Sequence, residues 1–118
     1  SAPTPMANGC VNVHQEETDP DGTRHLRLMT LASVAGKRGI ERVPATGTGL
    51  IMIDMRVFNR IKPPFFTFTY ADDSCCDVVA GEDVSFTVRC GEVGIPTYAA
   101  WDCPCGHDKR ILLRQPRI

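Results

Sequence analysis

Two adjacent carboxylates, Glu82 and Asp83, follow Gly81 in the segment GEDVSF. A carboxylate held near a hydroxyl can accept its proton, so an acidic pair at one point of a fold is a candidate general base. The pair also has a purely structural explanation, because acidic residues in a first helical turn complement the positive end of the helix dipole. The elements around the pair bear on which interpretation holds.

The segment after the pair predicts a helix over residues 82–93. Phe86, Cys90 and Val93 recur at the i, i+4 and i+7 spacing of one helical face. Gly94 is a natural stop, because glycine adopts the left-handed conformation that commonly ends a helix. This periodicity is the clearest helical signal in the chain.

A second informative segment, GTGLIMID, lies upstream. Gly47 and Gly49 predict a turn, required either by backbone conformation or by the close approach of a ligand. Residues 50–53 predict a buried strand, and Asp54 is expected to cap a short helix after it. The inner face of that helix is predicted to carry Val57, Phe58 and Ile61.

Proline, glycine and polar residues divide the rest of the chain. The remaining predictions, in chain order, are an extended lead-in over residues 1–9, a strand over 10–14, a polar loop over 15–23, an element of undecided type over 26–34, a strand over 40–44, a long loop over 62–80 that contains FFTFTY, a strand over 95–100 and an irregular tail over 102–118. A loop this long in a small domain suggests a functional role. Strands and helices alternate, so the predicted fold class is α/β, with one mixed sheet and flanking helices in a single small domain over residues 1–118.

Composition narrows the range of functions. The chain has 13 Lys plus Arg against 14 Asp plus Glu, a net charge of -1. It has no basic run that would attract nucleic acid, and no apolar run approaches the roughly 20 residues of a membrane-spanning helix. We therefore expect neither nucleic acid nor a membrane span among its interactions.

Six cysteines are present, namely Cys10, Cys75, Cys76, Cys90, Cys103 and Cys105. Vicinal and closely spaced cysteines pair poorly with each other, and the cysteine content is below that of disulfide scaffolds. We therefore expect mostly reduced thiols and a cytoplasmic location, with one exposed bridge as the alternative.

Three segments in order, GTGLIMIDMRVFNRIKPPFF, GEDVSFTVRCGEVG and IPTYAAWDCPCGHDK, resemble the second half of the catalytic domain of GT-A nucleotide-sugar glycosyltransferases, particularly the family 2 and phage-encoded branches. The resemblance covers residues 40–110, with a looser match over 5–14. It implies transfer of a hexose from a nucleotide-diphosphate sugar to a hydroxyl acceptor. It also implies a partial GT-A-like sheet.

The resemblance implies roles for individual residues. Asp83 corresponds to the general base, and Glu82 to a neighbour that binds acceptor or sugar hydroxyls. His107 corresponds to a ligand of Mn or Mg, a cation that would neutralise the departing diphosphate. Trp101 is expected to line the sugar pocket, and Gly47 and Gly49 lie on the acceptor side of the cleft.

The chain departs from this family in one large respect. GT-A enzymes begin with a nucleotide-binding half that ends in an Asp-x-Asp metal motif, and neither feature is evident here. Asp19-Pro20-Asp21 has the spacing, but it lies in a polar loop. We therefore expect about half of a catalytic domain, truncated or a fragment, that forms a homo-oligomer or binds a partner chain supplying the nucleotide-binding half.

Two other functions remain open from the sequence. The first is a noncatalytic oligomeric binding module that keeps the half-fold. The second is a zinc-stabilised domain, in which Cys103, Cys105 and His107 would bind Zn together with Cys90 or Cys75, although their spacing is unusual for a zinc knuckle. Structural alternatives also exist for individual residues, with Trp101 as a core residue and Gly47 and Gly49 as turn residues.

Overall fold

The computed structural model describes residues 1–6, 8–106 and 108. Within them the chain forms seven strands, two α-helices and one 3₁₀ helix. The strands are β1 (Cys10–Thr18), β2 (Arg24–Thr30), β3 (Ile40–Val43), β4 (Ala45–Thr46), β5 (Thr69–Tyr70), β6 (Val78–Ala80) and β7 (Thr97–Ala100), and the helices are α1 (Leu31–Val34), the 3₁₀ helix Met55–Asn59 and α2 (Glu82–Glu92). Strands and helices thus occur together, as the α/β class predicts.

The strands are divided among three sheets, and each pairing between the described strands is antiparallel. β1 is the centre of the largest sheet, with β2 and β4 at its sides. β3 pairs with β7, and β5 pairs with β6. The prediction of a single sheet is therefore wrong, because no strand pairing joins these three sheets in the described part of the chain.

The predicted buried strand over residues 50–53 is also wrong. These residues belong to no strand, and Met52 is 95% exposed. The chain leaves the large sheet just before them, where the N–H of Gly47 donates to the carbonyl of Asn12 (2.8 Å). A strand needs a neighbour to satisfy its backbone groups, and no described strand lies alongside this segment.

The helix predicted over residues 82–93 is present in most respects. α2 begins at Glu82, and Gly94 follows it with a φ of 79°. Phe86 and Cys90 are buried with Ile61 in one core cluster, whereas Val93 is 41% exposed and lies outside the core, contrary to the prediction. Val93 is the residue at which the helix ends, so it has already turned from the inner face.

The short helix after Asp54 is a 3₁₀ helix, and its predicted cap is present. Oδ1 of Asp54 accepts the backbone N–H of Arg56 at 2.9 Å. Val57 and Phe58 pack against the cluster around Phe86, which confirms the inner face. The rings of Phe58 and Phe86 stack at 5.9 Å between centroids.

The predicted loops are shorter than expected. β1 continues to Thr18, so only residues 19–23 of the predicted loop over 15–23 form the turn into β2. Asp19-Pro20-Asp21 lies in that turn, which confirms its loop location. The long loop over 62–80 contains the small hairpin of β5 and β6.

A second core cluster joins the large sheet to the pair of strands β3 and β7. It contains Val11 and Val13 of β1 together with Val43, Ala99 and Trp101, and Met29 of β2.

None of the described helices is long and apolar enough to cross a membrane.

Candidate functional site

The Asp83 carboxylate lies at the beginning of α2, beside the segment that follows β4. Its Oδ2 accepts the backbone N–H of Thr48 at 3.2 Å, and its Oδ1 accepts the N–H of Val84 at 2.7 Å. α2 is anchored on β4 by a buried pair one turn further along, where Oγ1 of Thr87 accepts the N–H of Thr46 at 3.2 Å. The helix thereby fixes the position of Asp83 relative to the glycine turn.

Gly47 allows this close approach. A Cβ atom at Gly47 would lie 3.1 Å from Oδ2 of Asp83 and 3.2 Å from the side chain of Asn12. The Asn12 side chain is itself held, because its Oδ1 accepts the backbone N–H of Thr4 at 2.8 Å. The structure thus brings together Asp83 and Gly47, two residues to which the resemblance gives roles in the same site.

His14 is a member of this site that the sequence interpretation missed. Its Nδ1 atom is buried and has no hydrogen-bond partner among the described residues. Burial lowers the pKa of His14 below its ordinary value, while the negative charge of Asp83 and the nearby backbone of Ala45 oppose that shift. The alternation of CVNVH indicates this placement, because Asn12 and His14 lie on the face of β1 opposite Val11 and Val13.

The other predicted site residues lie in different environments. Glu82 is exposed at the first position of α2, next to Asp83. Gly49 is exposed, and a Cβ there would make only an ordinary contact with Oγ1 of Thr4 at 3.4 Å. It therefore has no steric requirement comparable to that of Gly47.

Trp101 is a core residue, 6% exposed, in the cluster with Val43 and Ala99. Its Nε1 donates to Oε2 of Glu41 at 2.9 Å, and the ammonium of Lys37 lies 5.4 Å from the ring centroid. A hydrogen bond from the ammonium of Lys37 is the main cause that lowers the pKa of Glu41, and the hydrogen bond from Trp101 lowers it further. A sugar would need an open ring face to stack on, and this ring is covered.

The predicted metal ligand, His107, lies outside the described residues. Among those that the structure describes, no group of three or more His, Cys, Asp or Glu side chains is arranged to hold a metal ion. Cys90, one proposed zinc ligand, is buried in the core cluster with Phe86, and burial raises the pKa of its thiol. Cys75 lies apart from it on the β5–β6 hairpin.

A cleft of about 530 Å³ lies along the middle of α2 and does not include Glu82 or Asp83. Phe86, Thr87 and Cys90 of α2 form one wall, and residues 51–54 and 95–98 contribute others. Two guanidinium groups, those of Arg56 and Arg60, also line it. Arg56 forms an ion pair with Asp54 at 2.6 Å, which lowers the pKa of that carboxyl to about 2.

No family model, curated protein or solved structure matches this chain. Asp83, with Thr48, Gly47, Asn12 and His14 around it, presents a carboxylate that can accept a proton from a bound hydroxyl.

Proposed function

We propose that this chain is a glycosyltransferase-like domain, the acceptor side of a GT-A-like catalytic domain, which transfers a hexose from a nucleotide-diphosphate sugar to a hydroxyl. The observation that supports it is the contact between the carboxylate of Asp83 and the backbone at Gly47 and Thr48. These are the acidic pair and the glycine turn on which the resemblance depends, and they lie far apart in sequence.

In this proposal Asp83 is the general base. A carboxylate has more lone pairs than its two N–H donors occupy, so an acceptor hydroxyl can donate to it as well. The acceptor oxygen attacks the anomeric carbon while its proton passes to Asp83, and the bond from that carbon to the diphosphate oxygen breaks with its electron pair on the diphosphate. Glu82, exposed beside Asp83, would hold neighbouring hydroxyls.

The cation belongs to this proposal only as a prediction. Mn or Mg prefers oxygen ligands, and the described residues around Asp83 do not supply three of the required groups. His107 remains the ligand that the resemblance implies. The steps assigned to Asp83 and Glu82 do not depend on the metal.

Replacement of the base tests the proposal. The full chain, alone and with any partner chain that co-purifies, is incubated with Mn and a panel of nucleotide-diphosphate hexoses and hydroxyl acceptors, and released nucleoside diphosphate is measured. Asp83→Asn keeps the shape but removes the base, so the rate should fall about 100-fold or more. Asp73→Asn, on an exposed turn, is the matched control and should retain full activity. An Asp83→Asn variant as active as the control would overturn the assignment.

A second function, a noncatalytic oligomeric binding module, is supported by a different observation. Several large apolar side chains are exposed, including Ile40, Met52 and Met55. A ligand that binds only the folded state raises the melting temperature, so nucleoside diphosphate with Mn should raise it if the first proposal holds. The absence of a shift, together with a stable dimer, would favour the module.

A further inference from the structure

Cys75 and Cys76 are adjacent exposed thiols at the tip of the β5–β6 hairpin. The N–H of Ala71 donates to the carbonyl of Asp77 at 2.9 Å and closes the hairpin directly beneath them. Neither cysteine belongs to a core cluster or forms a disulfide. Their thiols are therefore free to react with a ligand in solvent.

The turn that carries the two thiols has a defined backbone. Oδ1 of Asp72 accepts the N–H of Ser74 at 2.9 Å, and the hydroxyl of Ser74 accepts the N–H of Cys76 at 3.3 Å. Cys75 itself has a φ of 56°, in the left-handed region. A ligand that binds both sulfurs would thus meet a turn whose backbone is already ordered by these hydrogen bonds, which lowers the entropic cost of chelation.

The donor set selects the class of ligand. Thiolates prefer soft ions, and no third His, Cys, Asp or Glu side chain completes a metal site with these two in the described chain. An arsenic(III) centre that already carries one organic group is satisfied by two protein sulfurs, because it forms three bonds. We propose that Cys75 and Cys76 form a chelating site for trivalent arsenicals.

The reaction with an organoarsenic oxide balances without an oxidant or reductant. Two S–H bonds break and two As–S bonds form, one to each sulfur. The arsenic-bound oxygen leaves as one water molecule that carries both thiol protons, and arsenic stays trivalent. The product is a cyclic dithioarsenite across the vicinal pair.

The probe for this site is phenylarsine oxide, added to the reduced full chain after the reductant is removed. Intact mass should show addition of one phenylarsenic group with loss of two hydrogens, and peptide mapping should locate it at residues 75–76. Because the second sulfur binds intramolecularly, Cys75→Ser and Cys76→Ser should each weaken binding about 100-fold. Excess monothiol should remove the adduct from each variant but not from the unmodified chain, whereas a dithiol should remove it from both.

The second closely spaced pair supplies the control. Cys103→Ser should leave binding unchanged, because Cys103 and Cys105 are separated by a residue and lie elsewhere. An adduct that survives with equal affinity in Cys75→Ser and Cys76→Ser would overturn the proposal. So would equal sensitivity of the unmodified chain and the variants to the monothiol. The affected residues are exposed, and circular dichroism verifies that the variants are folded.

Discussion

Gly47 is the residue at which the geometry of the site is most tightly restricted. In Gly47→Ala the new methyl group would lie 3.1 Å from Oδ2 of Asp83 and 3.2 Å from Asn12. Both neighbours are held by backbone N–H groups, so neither can withdraw without losing a hydrogen bond. We expect a loss of about 1–3 kcal/mol in the free energy of unfolding, as for other overpacked sites. Urea unfolding measures it.

The control for Gly47→Ala is Gly91→Ala. Gly91 lies in α2, and a Cβ there would meet nothing within 4 Å. Alanine has a higher helix propensity than glycine, so the free energy of unfolding of this variant should rise by about 0.5 kcal/mol. A Gly47→Ala protein as stable as the unmodified chain would show that the turn can relax away from Asp83.

His14 makes stability depend on pH. Burial is the main cause that lowers its pKa in the folded state, so the unfolded chain binds the proton at a higher pH. Stability should therefore be undiminished above the unfolded pKa of about 6.5, and should fall as the pH drops through it toward the folded pKa. His14→Gln removes this contribution. Urea unfolding at pH 7.5 and 5.5 should show a smaller loss in the variant, and an equal loss in both proteins would contradict the assignment.

At the scale of single residues, a local pattern in the sequence was enough to single out two residues that the structure places side by side. Asp83 and Gly47 belong to two short motifs, and the structure brings them into contact. His14 carries no motif, and its place in the site depends on which face of β1 lies toward Asp83, a long-range relation. The burial of Trp101 has the same origin, because Val43 and Ala99 that cover it come from β3 and β7.

At the scale of elements, Arg89 connects α2 to the segment before β5. Its guanidinium donates to the carbonyls of Lys62 (2.5 Å), Pro64 (2.7 Å) and Phe65 (3.2 Å). Arg89→Met keeps the aliphatic stem but removes these bonds. We expect a loss of about 1–2 kcal/mol in the free energy of unfolding, which is at the lower end for charged donors because the site is partly exposed. Amide hydrogen exchange over residues 62–68 should also become faster.

Arg27→Met is the matched variant for this prediction. Arg27 forms an ion pair with Glu17 at 2.8 Å on the exposed side of β2. Such a pair contributes about 0.2–1 kcal/mol, so its removal should have a smaller effect and leave exchange over residues 62–68 unchanged. Equal losses in Arg89→Met and Arg27→Met would show that Arg89 does not hold the segment.

Elements were predictable to the extent that their signals are local. The period of α2 and the cap at Asp54 are properties of neighbouring residues, and both are present in the structure. The strand predicted over residues 50–53 depended on a pairing partner elsewhere in the chain. An apolar run indicates burial but does not supply that partner, so this prediction failed.

At the scale of the whole molecule, the predicted homo-oligomer remains to be tested. The segment 50–55 carries three large exposed apolar side chains, Leu50, Met52 and Met55. Exposed apolar groups close together in a small protein commonly mark an interface. They lie beside the cleft along α2, to which Met52 also contributes. A second copy that covers this segment would remove the apolar surface from water.

The double variant Met52→Lys with Met55→Lys tests that arrangement. Each lysine would bring a charge into the interface and remove buried apolar area, so dimerisation should weaken about 100-fold or more, which corresponds to about 2.7 kcal/mol. Sedimentation equilibrium over a range of concentrations gives the dissociation constant. Leu31→Lys, which changes an exposed apolar residue in α1, should leave it unchanged. An unmodified chain that is monomeric throughout would exclude the homo-oligomer, and an equal effect of Leu31→Lys would place the interface elsewhere.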